Sequence, residues 1–297
     1  MPAGFKGEGY NAEDDRNVKD PAFLRNRSGV VSRCIQLGIN YVDACSPQEI
    51  LAYSSVLQGR RDQMYFGFSW HTREPRYDQW RTAGKLIEGF QLSLKEARLD
   101  YVHLRRISLP MAGITGMGIL NQIEESTGDA SRRARQRGLA RHTGASSHNR
   151  QRLKDLAEHY PKEIEVVLFP YTADSKVLPG DSLFDALKYS NSGARGIKPF
   201  AGNSLFAGNS APLSPQFEED NKRARPAIRY VLENPSVTAP IPGLITVQQA
   251  ENVVKAIAEK IERRLSRQLR SELELATRGM WARLRPGYEW LSDWENV

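Results

Sequence analysis

The chain has 297 residues, 40% of them hydrophobic, with a formal net charge of +7 and a pI near 9.4. That length suits one domain with a full core, and a mean hydropathy of −0.54 without any long apolar run excludes a membrane-spanning helix. Two cysteines, Cys34 and Cys45, exclude a disulfide framework and fit a reducing compartment.

The first stretch, residues 1–20, is polar and glycine-containing, with an acidic cluster from Glu13 to Asp15. It has no apolar core of a secretory signal, so a cytoplasmic location is expected. Pro21 to Leu37 shows near-helical apolar spacing and stops at Gly38. Ile39 to Val42 is a short strand ending at Asp43, Pro47 follows in a turn, and Glu49 to Leu57 reads as a helix. Met64 to Ser69 is a buried strand, and Ala83 to Ala97 an amphipathic helix.

Tyr101 to Ile107 reads as a strand, although His103, Arg105 and Arg106 are awkward in a buried parallel strand. They either face a wet barrel mouth or cost stability. Ile119 to Arg137 reads as a helix interrupted near Thr127 and Gly128. Then come a strand at Leu139 to Ala145, a helix at Arg150 to His159, a strand at Ile164 to Pro170 and a helix at Ser182 to Tyr189. Ala194 to Phe200 is a strand carrying Lys198 near its end, and Gly202 to Pro215 a Gly/Asn/Ser/Pro-rich loop. Phe217 to Glu233 is helical, with Pro226 expected in its first turn or at a kink. Val237 to Ile241 is the last strand; Val247 to Leu265 and Gln268 to Ala282 are helices.

Strands and helices alternate without a linker or repeat, which implies a parallel sheet. The expected fold is an α/β, TIM-type (β/α)8 barrel with seven identifiable strands, its first strand missing or replaced. The expected organisation is a polar segment at 1–20, a barrel domain at 21–285 and a tail at 286–297 packing on the barrel. A barrel lacking one strand leaves two open edges. The N-terminal segment, a partner subunit or self-association is expected to cover that opening.

The positive charge is compatible with nucleic acid, anionic lipid or a phosphate-bearing cofactor. Its main cluster, Ser131 to His142, lies at a helix end, where cations complement the helix dipole. No basic stripe interleaved with aromatics accompanies it, so nucleic acid is not an expected partner.

Asp43 stands at the C-terminal end of a strand, before a βα loop, where barrel enzymes place their chemistry. Taken alone, a capping or loop carboxylate is the commoner reading of it. The surrounding GINYVDACSPQEI resembles the aldo-keto reductase family's pattern, and four further segments match that family in order: LKEARLDYVHL, RGLARHTGASSHN, IEVVLFPYTA and ENPSVTAPIPGLITVQQAENV. The resemblance spans about residues 21 to 260 and implies an NAD(P)H-linked carbonyl oxidoreductase, with NADP(H) as cofactor and a small carbonyl compound as substrate.

The family's catalytic Asp, Tyr, Lys and His fall, residue by residue, on Asp43, Gln48, Ser69 and Ser108. Gln48 carries no dissociable proton in the useful range, and a serine cannot supply the missing cation. On the cofactor side the resemblance implies Ser146 and Ser147 at the nicotinamide carboxamide, Leu168 where an amide is usual, and the 202–208 loop with Gly202 near the pyrophosphate. It also implies Thr246 near the adenosine phosphate and the family's Glu-Asn pair at Glu251 and Asn252, one residue early; Lys198, read by itself, is a solvated cation facing cofactor phosphate.

Three readings follow. One is a diverged oxidoreductase with a degenerate tetrad and little reductase activity. Another is a catalytically silent barrel binding a nucleotide, ligand or protein. The third is a different barrel enzyme that uses Lys198, whose amine could form a Schiff base if desolvated. Asp43, Cys45, His71 and His148 are capable metal ligands, but their loose spacing leads to no metal site being expected. Substrate selection falls to the loops 70–81 and 109–118 and to the tail.

Overall fold

The computed structural model describes residues 18, 20–109, 117–175, 177–200, 203, 205–208 and 214–281. Seven parallel strands lie in sequence order in one sheet: β1 (Tyr41–Ala44), β2 (Tyr65–Phe68), β3 (Val102–Ser108), β4 (Ala140–Ser146), β5 (Val166–Pro170), β6 (Gly193–Ile197) and β7 (Ala239–Ile241). The crossover helices are α1 (Pro21–Gln36), α2 (Pro47–Val56), α3 (Ala83–Glu96), α4 (Met117–Gln136), α5 (Arg150–His159), α6 (Leu183–Ser190), α7 (Phe217–Glu233) and α8 (Val247–Glu262), followed by α9 (Arg267–Trp281). All seven expected strands form, in a nearly closed barrel.

Local chemistry explains where the elements start. Asp20 caps α1 by accepting from the Ala22 amide, with Pro21 at its first position. Gly38, at φ +78°, turns the chain out of that helix. Pairing with β2 begins where the Asn40 carbonyl accepts from the Tyr65 amide, so Ile39 is a packing residue before the strand rather than its start. Pro47 belongs to α2 and not to the preceding turn. Ser46 and Glu49 form a reciprocal capping box around it, and a proline at the first helical position loses no hydrogen bond.

Helix α4 runs unbroken through Thr127 and Gly128, contrary to the interruption expected there. The Thr127 hydroxyl donates to the Ile123 carbonyl, and the Tyr160 ring lies where a side chain at Gly128 would stand. Gly128 therefore serves a close contact. Pro226 sits in the body of α7 rather than in its first turn.

The register shows what faces where. Asp43 aligns with Gly67 and Leu104, Arg106 with Gly144, and Ser108 with Ser146, Leu168 and Arg195. These residues share the inner face. The alternate residues, among them Phe66, Phe68, Ile107, Val167 and Phe169, join two apolar clusters beneath the helices. A third cluster joins α7, α8 and α9. The core thus lies mostly outside the barrel, and the interior sets the polar residues beside buried Leu104 and Leu168.

Among the described residues no backbone pairing joins β1 to β7. Side chains span the gap instead. From β6, the Arg195 guanidinium lies 3.7 Å from the centre of the Tyr41 ring. On the outside, buried Arg27 of α1 donates to the Leu244 carbonyl at 2.9 Å, and Arg33 pairs with Glu251 of α8 at 2.8 Å. Residues 1–17, most of the polar N-terminal segment, and the tail 286–297 lie outside the described residues.

Candidate active site

The interior is stacked in polar layers. In the lowest, Tyr41 donates to Asp43 Oδ1 at 2.8 Å while stacking under Arg195. Gly67 makes this possible, because a Cβ there would run into the Tyr41 hydroxyl. Burial first, and then the Asp43 charge, hold the Tyr41 phenol well above its ordinary range, so it keeps its proton.

In the next layer Arg106 grips Asp43 with a fork. Its Nε donates to Oδ1 at 3.1 Å and its Nη2 to Oδ2 at 2.6 Å. The side chains are 5% and 8% exposed, so this is a desolvated, bidentate ion pair. Nη2 also donates to the Ala44 carbonyl, and Nη1 to the hydroxyls of Ser146 at 3.1 Å and Ser108 at 3.4 Å. The Asp43 charge keeps the guanidinium protonated despite burial.

Above the pair runs a chain of hydroxyls. Ser69 and Ser108 Oγ atoms are 2.7 Å apart, and those of Ser108 and Ser146 are 3.0 Å apart. Glu74, from the loop after β2, accepts from the Ser108 amide at 3.3 Å. Burial pushes its carboxyl up to about 8, although Arg105, Arg106 and Arg76 pull it down.

This raised value has a measurable consequence. A carboxyl that holds its proton to about 8 when folded, against 4.5 when unfolded, makes the folded state the better proton binder in between. Stability therefore falls as pH rises through that window. His148, pulled from 6.5 to about 2 by burial and by Lys198, contributes the opposite slope only below 6.5. Between pH 6.5 and 8 the urea midpoint should fall in the wild type; in Glu74→Gln that fall should be absent, leaving a small rise near pH 8 from Lys198, which burial pulls down to about 8.

Asp43, Ser69, Ser108 and Ser146 are thus brought into one network, and the cation at Asp43 is Arg106, which reaches it from β3. Its neighbour Arg105 points outward, with its guanidinium 4.7 Å from the centre of the Phe90 ring and donating to the Leu86 and Ala130 carbonyls. The alternation of a strand would have separated them: Arg106 shares its face with Ser108, Arg105 with Ile107. Tyr41, Glu74 and Arg195 also belong to the network and escaped the sequence reading.

The other site candidates lie elsewhere. Gln48 is half-buried on α2. Ser147 accepts from the Asn149 amide in the turn that starts α5. Thr246 is the N-cap of α8, accepting from the Gln249 amide. The Asn252 amide donates to the Asn221 carbonyl at 2.7 Å, and its oxygen accepts from Arg225 at 3.1 Å. Asn252 also lines a groove with Phe200, Phe206, Asp220, Leu244 and Val253. Gly202 lies outside the described residues. Further along that loop, the amides of Ala207 and Gly208 donate to the buried Asp220 carboxylate at 2.8 and 3.2 Å. His71 Nδ1 lies 2.9 Å from the Cys45 carbonyl oxygen. Among the described residues no group of three or more His, Cys, Asp or Glu side chains converges as a metal site would require.

The basic cluster is a solvated helix end. Arg132 and Arg133 pair with Asp129, and Arg135 with Glu165, all at substantial exposure.

No protein-family model matches the chain, and no curated protein matches it in sequence. Solved structures do match in fold. The holo form of the aldo-keto reductase AKR11C1 from Bacillus halodurans is similar at a TM-score of 0.61 and 17% identity, over 90% of each chain. Its apo form gives 0.59 at 16% identity, over 85% of this chain and 87% of that one. An aldo-keto reductase from Brucella melitensis gives 0.58 at 15% identity, over 85% of this chain and 89% of that one. The chain shares the fold of the aldo-keto reductases.

Proposed function

We propose that this chain is an aldo-keto reductase by descent whose carbonyl-reducing tetrad has been replaced by an internal Asp43–Arg106 pair. It is left with weak nicotinamide-nucleotide binding and little reductase activity. The observation that carries the reading is the hydroxyl chain of Ser69, Ser108 and Ser146 above that pair. Reducing a carbonyl creates an alkoxide that needs a proton as it forms, and a positioned acid contributes roughly 10² to 10⁴ in rate. Gln48 has none to give. The serine hydroxyls are bonded to one another, and Tyr41 lies a layer below with its proton committed to Asp43.

The nucleotide would lie along the mouth, with its adenosine end in the groove beside Phe206 and Asn252 and Lys198 toward phosphate. The groove's rings and amide suit a flat base. The 207–208 amides suit a pyrophosphate only if the Asp220 carboxylate, which now occupies them, gives way. That substitution of one anion for another supports weak binding.

NADPH titrated into the protein and followed by fluorescence should show saturable but weak binding that is strengthened by Asp220→Ala. Tight binding unchanged in that variant, or no binding by either protein, would remove the nucleotide part of the reading.

A further inference from the structure

The strands of the barrel begin at the face opposite the mouth, and the reductase reading gives that face no role. It also leaves the chain's net charge of +7 without a use. The two meet where β2, β3 and β4 start.

Four flat groups stand there in a row. The Tyr65 and His103 rings have centres 5.1 Å apart, and those of His103 and Tyr101 are 5.4 Å apart. The Arg141 guanidinium, from the start of β4, lies 4.8 Å from the centre of the Tyr101 ring. Arg61, from the turn before β2, lies 5.6 Å from the same ring and donates to the Tyr101 carbonyl at 3.2 Å. The row is anchored in the sheet. His103 Nδ1 accepts from the Phe66 amide at 3.1 Å, just before backbone pairing of β2 with β3 begins at Gly67. The neutral ring therefore carries its hydrogen on Nε2. Burial, with the Arg61 and Arg141 charges behind it, holds this imidazole below its ordinary 6.5, so it is an uncharged plate near neutral pH. Both ends of the row are open: Tyr65 is 55% exposed, and Arg141 is exposed.

Charge follows the same edge. Exposed Arg98 and Arg137 lie in the turns that enter β3 and β4. With Arg61 and Arg141 they make no ion pair among the described residues, unlike Arg132, Arg133 and Arg135 at the end of α4. Asp62 and Asp100 are the carboxylates in the turns that enter β2, β3 and β4. The run Ser131 to His142 has no aromatic of its own, but the fold sets its Arg141 against a ring from the neighbouring strand.

We propose that this face binds single-stranded nucleic acid, with a base stacked on Tyr65 and the phosphates running toward Arg61 and Arg141. Exposed rings edged by unpaired guanidinia serve both halves of a single strand. Every base has a flat face to stack, and each guanidinium meets a phosphate and releases its counterion. A duplex keeps its base faces hidden inside the stack, and an acidic peptide would use the cations but not the rings.

The test is fluorescence anisotropy of a labelled oligouridylate of about 12 nucleotides, titrated with the full chain. Binding should saturate, and its affinity should fall roughly tenfold between about 50 and 200 mM salt. Tyr65→Ala, a change at an exposed ring, should weaken oligouridylate at least about fivefold and leave heparin binding unchanged, with native circular dichroism. Arg141→Gln should weaken both ligands. An oligouridylate carrying 4-thiouridine should photo-crosslink to the peptide that holds Tyr65. No binding at low salt would overturn the proposal. So would an unchanged affinity in Tyr65→Ala, which would mark a surface for polyanions in general, and so would tighter binding of a duplex of the same length. The measurement involves neither a nicotinamide nucleotide nor a carbonyl compound, so it stands or falls apart from the reductase reading.

Discussion

Replacing Asp43 with alanine is expected to destabilise the protein by about 3–5 kcal/mol, because it strands a buried guanidinium. Arg106 is 4% exposed, and its fork on the carboxylate is its only ionic partner among the described residues. The Tyr41 hydroxyl would also lose its acceptor. Most of the cost is the desolvated charge left behind rather than the strength of the pair, and a second variant separates the two. Asp43→Leu combined with Arg106→Met removes both charges at similar volume and should cost less than Asp43→Ala alone. Urea unfolding at constant pH gives both values. A single substitution costing under about 1 kcal/mol would mean that the guanidinium finds another partner and that the pair does not organise the interior.

The second large effect concerns the chemistry. Restoring the three missing side chains in the present interior should fail. Ser69 and Ser108 are 2.7 Å apart, so Ser69→Lys and Ser108→His would crowd each other. The new amine would also meet Arg106, which already holds both oxygens of Asp43. Adding Arg106→Leu to Gln48→Tyr, Ser69→Lys and Ser108→His frees the carboxylate for the amine. Only that fourfold variant should gain aldehyde reduction, by roughly 10² or more, because such groups act as a unit. A comparable gain in the threefold variant, read as NADPH consumption with 4-nitrobenzaldehyde, would show that Arg106 is no obstacle.

Much of this architecture was legible in the sequence because the outer core obeys simple patterns. IEVVLFP packs the outward faces of Val167 and Phe169 under α5 and α6, and the apolar spacing of Ala83 to Ala97 marks α3 to within a residue. Boundaries slipped where capping, not hydrophobicity, sets them. Pro47 reads as a turn residue until Ser46 and Glu49 are seen to close a box around it. Gly128 reads as a break because the ring that needs the space, that of Tyr160, lies on the other side of β4 and α5 in sequence.

The site was half legible. Asp43 stands out at a strand end, and Ser69, Ser108 and Ser146 were placed by resemblance. Arg106 does not stand out, because a buried parallel strand normally reads as apolar and Arg105 beside it looks the same in sequence. Strand alternation sets Arg106 on the face of Ser108 and apart from Arg105, and the pairing register, Asp43 with Gly67 and Arg106 with Gly144, then brings it to the carboxylate.

On the proposed reading Asp43 holds the interior together and does not serve hydride chemistry. Single-turnover oxidation of NADPH, with wild-type protein in excess over 4-nitrobenzaldehyde, tests it most directly. NADPH should decay little faster than in the absence of protein. Rapid decay that Ser108→Ala or Gln48→Leu abolishes, in variants that remain folded, would contradict it.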